Sequence, residues 1–138
     1  MSIVQTQTTS FKKELYTAVH NLSTDTIKIA LYTGNADLNE DTTIYSSTNE
    51  VVATGYTAGG QIMTGVAISS SGSVAYVNWA NVSWSGAITA RCALMYNVTQ
   101  GNKSIAVLDF GSDKTSTTTF TITMPANTST TALIRSSN

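Results

Sequence analysis

A chain of 138 residues has the length of one domain, and its 41% hydrophobic content is enough for a packed core. Charged residues make up only 11%, under half the usual share of about 25%, and the net charge is -1. Without a basic stripe, nucleic-acid binding is disfavoured, and no window approaches the ~20 apolar residues of a membrane span.

The predicted elements begin with a polar segment, Met1–Ser10, which has no periodicity and reads as a flexible N-terminal arm. It also lacks the apolar stretch of a secretory signal, so synthesis in a cytoplasm is expected. Residues 11–138 read as a single domain. Ser10 is a candidate N-cap, and Phe11, Leu15, Ala18, Val19 and Leu22 recur at helical spacing, which predicts a helix over Phe11–Leu22. Thr26–Thr33 alternates as a strand, with Ile27, Ile29 and Leu31 on one face and Lys28, Ala30 and Tyr32 on the other. Gly34–Tyr56 has no sustained period and reads as a long loop of the kind that carries function, with one helical turn expected at Ala36–Asn39.

Beyond Ala58-Gly59-Gly60 the pattern is strand and turn. Strands are predicted at Gln61–Ser69 and Val74–Trp79, paired as a hairpin through Ser70-Ser71-Gly72. A short strand at Asn81–Trp84 precedes Ala87–Tyr96, whose alternation puts Ile88, Ala90, Cys92, Leu94 and Tyr96 on one face. Asn97–Asn102 is a turn, Lys103–Phe110 a strand and Gly111–Lys114 another turn. Thr117–Met124 then faces Phe120, Ile122 and Met124 inward, Pro125 stops it, and Thr131–Arg135 is the last strand. The architecture expected is mainly β, an antiparallel β-sandwich with one N-terminal α-helix. Ile27, Ile29, Leu31, Ile88, Leu94, Val107 and Phe120 are expected in its core.

No pattern announces chemistry. His20 is the single histidine and falls off the helical stripe, so a structural or surface role is expected rather than a triad. Cys92, the single cysteine, reads as a buried small hydrophobe. With one His and one Cys, a structural zinc site within the single chain is not expected. Asp37, Glu40 and Asp41 have oxygen ligands suited to calcium but lack the spacing of a calcium loop. Asp109 and Asp113 flank Phe110-Gly111, but one ends a predicted strand and the other sits in a predicted turn, a weak basis for a glycosidase pair. Trp79, Trp84 and Tyr76 suit sugar stacking in principle, though core packing is the stronger expectation for them. No catalytic residue, metal or cofactor is expected.

What distinguishes the chain is surface character: Thr and Ser far outnumber Lys and Arg and recur in alternating runs such as Thr117–Met124. Hydroxyls are cheaper to desolvate than ammonium or carboxylate groups, so such faces suit burial against neighbours. The ordered blocks Phe11-Lys12-Lys13-Glu14-Leu15, His20-Asn21-Leu22, Thr24–Thr33, Thr48-Asn49-Glu50-Val51, Gly55–Gly60 and Ala106–Gly111 together resemble a family of small virion structural proteins of tailed bacteriophages. The resemblance spans Phe11 to Arg135. It implies a non-enzymatic virion component, assembled in the host bacterial cytoplasm, whose partners are the major capsid protein or other virion proteins. Its size and make-up are similar to capsid cement (decoration) proteins, with a small homo-oligomer expected. A tail, connector or baseplate component and a particle-surface carbohydrate-binding module are the alternatives. Partner contacts are expected from the arm (Val4, Thr6, Thr8) and the long loop (Asp37, Asn39, Thr43, Tyr45, Tyr56).

Overall fold

The computed structural model describes residues 2–137. Its elements in chain order are β1 (Thr6–Gln7), α1 (Thr9–Leu15), β2 (Ile27–Tyr32), β3 (Gln61–Ile62), β4 (Ala67–Ser71) and β5 (Val74–Asn78), followed by β6 (Val82–Ser85), β7 (Thr89–Asn97), β8 (Lys103–Thr115), β9 (Thr119–Ile122) and β10 (Ile134–Ser136). A five-stranded sheet runs β1-β8-β7-β2-β3, and two smaller sheets, β10-β5-β4 and β6-β9, complete the strands. All pairings between these strands are antiparallel. The fold is mainly β, consistent with a sandwich, with one short N-terminal helix.

The large sheet is buried on both faces. One face presents Ile27, Ile29, Leu31, Ala93, Met95 and Ile105 to Phe11 of the helix and to Trp79, Val82, Trp84, Phe120, Ile122 and Ile134 of the smaller sheets. The other face carries Ala30, Tyr32, Cys92, Leu94, Tyr96 and Val107, roofed by Ala36 and Leu38 with Ile3 and Tyr45 packed against them. The seven side chains expected in the core are all buried.

The arm is paired where the sequence suggested a free segment. Thr6 and Gln7 lie opposite Val107 and Ala106, Ile3 bridges Leu38, and Asp109 N–H donates to Gln5 Oε1 at 3.1 Å. The short β1 covers part of the outer edge of β8, and Met1 lies outside the described residues.

The helix is shorter than its apolar spacing implied and starts earlier. Thr8, not Ser10, is the cap: its Oγ1 accepts from Phe11 N–H at 3.3 Å. The helix ends because Ala18 takes a left-handed conformation (φ 60°). Val19 N–H reaches back to Glu14 O at 3.1 Å and Ala18 N–H to Leu15 O at 3.3 Å, the paired bonds of a Schellman turn. His20 and Leu22 therefore belong to a returning segment, where both are buried.

Other departures follow from local irregularities. The stretch Gln61–Ser69 divides into β3 and β4, which belong to different sheets, and Gly65 between them has φ 68°. β4 still forms the expected hairpin with β5. The pairing of β7 with β8 shifts between Ala90 and Cys92, a bulge that moves the strand out of phase. Ile88 and Ala90 accordingly join the first core while Cys92, Leu94 and Tyr96 join the second, instead of sharing one face. β8 runs on through Gly111–Lys114, where a turn was expected. Ala36–Asn39 forms no helical turn; Leu38 makes a bridge to Ile3 instead.

Candidate functional site

The long loop is a lid over the second face of the sheet, anchored by one acid. Val51 N–H donates to Leu31 O and Thr33 N–H to Asn49 O, both at 2.9 Å, so Asn49–Val51 extends the edge of β2 beyond β3. This places the Glu50 side chain inward, where only 6% of the residue is exposed. Its carboxylate accepts from Tyr45 Oη at 2.5 Å, from Tyr56 Oη, and from Gly59 N–H at 2.7 Å. Tyr56 Oη in turn accepts from Leu31 N–H at 2.9 Å, and Tyr96 Oη donates to Gly59 O at 2.5 Å. Tyr45 stacks on Tyr96 with ring centroids 4.6 Å apart. One acid thus ties the loop, the Gly59-Gly60 turn, β2 and β7 together.

Four phenols surround this group, and each holds its proton above the usual range. Burial is the main cause for Tyr32, Tyr45, Tyr56 and Tyr96, with the nearby Glu50 charge or its hydrogen bond adding to it. Tyr96 is pushed up to about 12 from an ordinary 10.0. A raised phenol means that the fold favours the protonated form. The stability these groups contribute is therefore full below pH 10 and lost as pH rises toward about 12 and beyond. Alkaline titration followed by tyrosinate absorbance and circular dichroism should show these phenols ionising together with unfolding. Their full ionisation in a still-folded chain would contradict the clamp.

His20 is buried rather than surface-lying, and it does sit beside carboxylates. Its Nε2 is 2.8 Å from Glu14 Oε1 and its Nδ1 is 3.0 Å from Asn97 Nδ2. The same amide donates to Asp25 Oδ2 at 2.8 Å, while Asn97 Oδ1 accepts from Gln100 N–H at 3.2 Å. That orientation makes Nδ1 an acceptor, so the ring proton is on Nε2 and points at Glu14. Burial works against the Asp25 charge, but bonds from Asn97, Asn21 N–H and Gln100 prevail and hold its carboxyl below the usual range. The Phe11 and His20 rings lie 4.9 Å apart. This network fastens the segment after α1 to the turn after β7. Neither of the two larger clefts is lined by His20.

Cys92 is fully buried, and burial pushes its thiol up to about 12, the opposite of an activated nucleophile. Asp109 is paired with Arg91 Nη1 at 2.9 Å and accepts from Gly111 N–H, so it is committed to the bulge. Trp79 and Trp84 are 5% and 2% exposed, which removes the flat platform that sugar stacking needs.

The eight expected contact residues do not form one site. Val4 is exposed, with its N–H on Leu38 O, and Thr6 is half-buried in β1. Thr8 is fully buried at the helix cap, with Ser104 Oγ 2.9 Å from its hydroxyl, and Tyr56 is buried on Glu50. Both are corrected from contact residues to internal ones. Tyr45 is half-buried and committed to the same acid. Asp37, Asn39 and Thr43 do come together, lining an open, polar cleft of about 450 Å³ floored by Tyr32. There Asp37 Oδ1 accepts from Ser2 N–H and Asn39 Nδ2, both at 3.1 Å. A larger open cleft of about 740 Å³ lies between the far end of β8 and β9, lined by Phe110, Phe120, Met124 and Leu133 among others. Among the described residues no three His, Cys, Asp or Glu side chains are grouped to hold a metal ion.

Glu50 is the residue that sequence reasoning passed over, naming it only within the block Thr48-Asn49-Glu50-Val51 and giving it no role. The available signal was its position: an acid between Asn49 and the apolar pair Val51-Val52, with two tyrosines and a Gly-Gly turn close by. No protein family, curated protein or solved structure matches the chain.

Proposed function

We propose that this protein is a non-enzymatic structural component of a tailed-bacteriophage virion, a capsid cement protein that binds and stabilises the mature shell. The observation that carries the reading is the β4 edge. Among the described residues Ala67–Ser71 pairs only with β5; it contains no charge and no proline, and is exposed from Ile68 to Ser71. Edge strands of soluble domains are normally blunted by lysine, proline or a covering element. An unguarded hydroxyl-rich edge suits strand addition or wet hydrogen bonding to a neighbour. Thr119 and Thr121 of β9 and Thr115 of β8 expose further hydroxyls. Many modest contacts of this kind add up when a clamp grips several shell subunits at once.

The test is to add the purified protein to shells of the phage that encodes it, prepared without this chain. Binding to the shell exterior in many copies, with a raised shell melting temperature, is expected. Location in a single ring at the tail or portal would move the assignment to a tail or connector component. Absence from the particle would overturn the virion reading.

A further inference from the structure

One end of the molecule gathers exposed charge and exposed apolar surface. α1 and the acidic part of the lid meet there: Thr9 N–H donates to Glu40 O at 2.9 Å, so the helix starts beside the loop. The helix exposes Lys12 and Lys13, followed by Leu15 at 41% and Tyr16 at 92% exposure. The loop exposes Glu40, Asp41 and Ile44, the last at 53%. Ile44 bridges Lys103 just past the turn after β7, and Thr8 N–H at the start of the helix donates to Ile105 O at 2.9 Å, so loop and helix both lie against the start of β8.

Among the described residues only Arg91–Asp109 and Glu14–His20 approach as oppositely chargeable pairs. The two lysines and the two acids therefore have no counter-ion among the described residues, in a protein with only 15 acidic and basic side chains, from 7 Lys and Arg plus 8 Asp and Glu. A solvated tyrosine and leucine beside them are the kind of exposed apolar group that a partner covers.

We infer that this end is a twofold interface with a second copy of the same chain, in which Lys12 and Lys13 of each copy face Glu40 and Asp41 of the other. A basic patch lying beside an acidic one is self-complementary under a twofold axis between them, because each copy then presents both halves to its mate. Tyr16 and Leu15 supply the desolvated centre and Ile44 its neighbour, while the charges at the rim set orientation and encounter rate. The argument is independent of the virion assignment, since it concerns the isolated chain.

The experiment is sedimentation equilibrium of the full chain in low salt, with Lys12→Glu/Lys13→Glu and Glu40→Lys/Asp41→Lys as two separate variants. All four sites are exposed, so folding is expected to survive, and near-ultraviolet circular dichroism checks it. Wild type should dimerise, each variant alone should dimerise about tenfold more weakly or less, and an equimolar mixture of the two should regain dimers. Raising the salt should weaken the wild-type dimer. Tyr16→Ser, which leaves every charge in place, should also weaken it. A wild-type chain that stays monomeric overturns the inference. So does a dimer unaffected by either reversal, or a mixture that fails to recover.

Discussion

Glu50→Ala should lower the unfolding free energy by about 3 kcal/mol, the larger of two opposing effects. Removing the carboxylate relieves the unfavourable burial of an ion, which favours the variant. Against that, three donors lose their acceptor. Tyr45, half-buried, can turn its hydroxyl to water and contributes little to the loss. Tyr56 Oη and Gly59 N–H are buried and cannot, and a stranded buried donor costs about 1–3 kcal/mol. The damage extends to the strand-like pairing of Asn49–Val51 on β2, because the acid sits within that segment and ties it to Tyr56 and Gly59. Urea denaturation gives the measurement. Tyr45→Phe, which removes the replaceable donor, should cost under about 1 kcal/mol by the same reasoning. An Ala variant within 1 kcal/mol of wild type would show that the lid is held by its apolar contacts and backbone bonds without the acid.

The second large effect is expected at Gly60. Its φ is 78°, and a Cβ placed there would lie 1.8 Å from Ile29 O and 2.8 Å from the Cα of Ala30. Both belong to β2, the strand paired with β7 and β3 inside the large sheet, so no side-chain adjustment relieves the overlap. Gly60→Ala should cost about 4 kcal/mol or prevent folding, and soluble yield together with the melting temperature will show it. Gly72 provides the control. It has φ 59° in the β4–β5 turn with nothing within 4 Å, so Gly72→Ala meets only the left-handed penalty of about 1 kcal/mol. Equal losses at the two sites would mean that backbone conformation, and not the approach to β2, governs Gly60.

Regular alternation was legible in the sequence. Ile27-Lys28-Ile29-Ala30-Leu31-Tyr32 reads directly as β2, and Phe120, Ile122 and Met124 face inward as their spacing requires. What escaped were features decided by single residues acting against their neighbours. Ala18 is a good helix former, yet it takes the left-handed turn that ends α1, because returning the chain buries His20 and Leu22. Nothing in Ala90-Arg91-Cys92 marks a bulge; its cause is the pairing with β8, a long-range partner. Gly111 resembles a turn residue and instead accommodates φ 84° inside a continuing strand. The candidate surface fared similarly. Asp37, Asn39 and Thr43 do line one cleft, whereas Thr8 and Tyr56 are internal because each hydroxyl answers a backbone or acidic partner that only the folded chain brings near.

The neighbours of β2 also govern the sequence of events in which the chain can assemble. β2 is matched with β7, and the whole span from Thr33 to Ile88 lies between them along the polypeptide. Closing so long a segment carries an entropic barrier before any ladder bond rewards it, which places such topologies among slow folders. The β4–β5 ribbon closes through two residues and needs no distant partner, so it can form before the larger sheet. The open edge of β4 is thus available to a neighbouring chain both before the large sheet closes and after it, so the same uncharged strand that suits docking is also a standing hazard of misassembly.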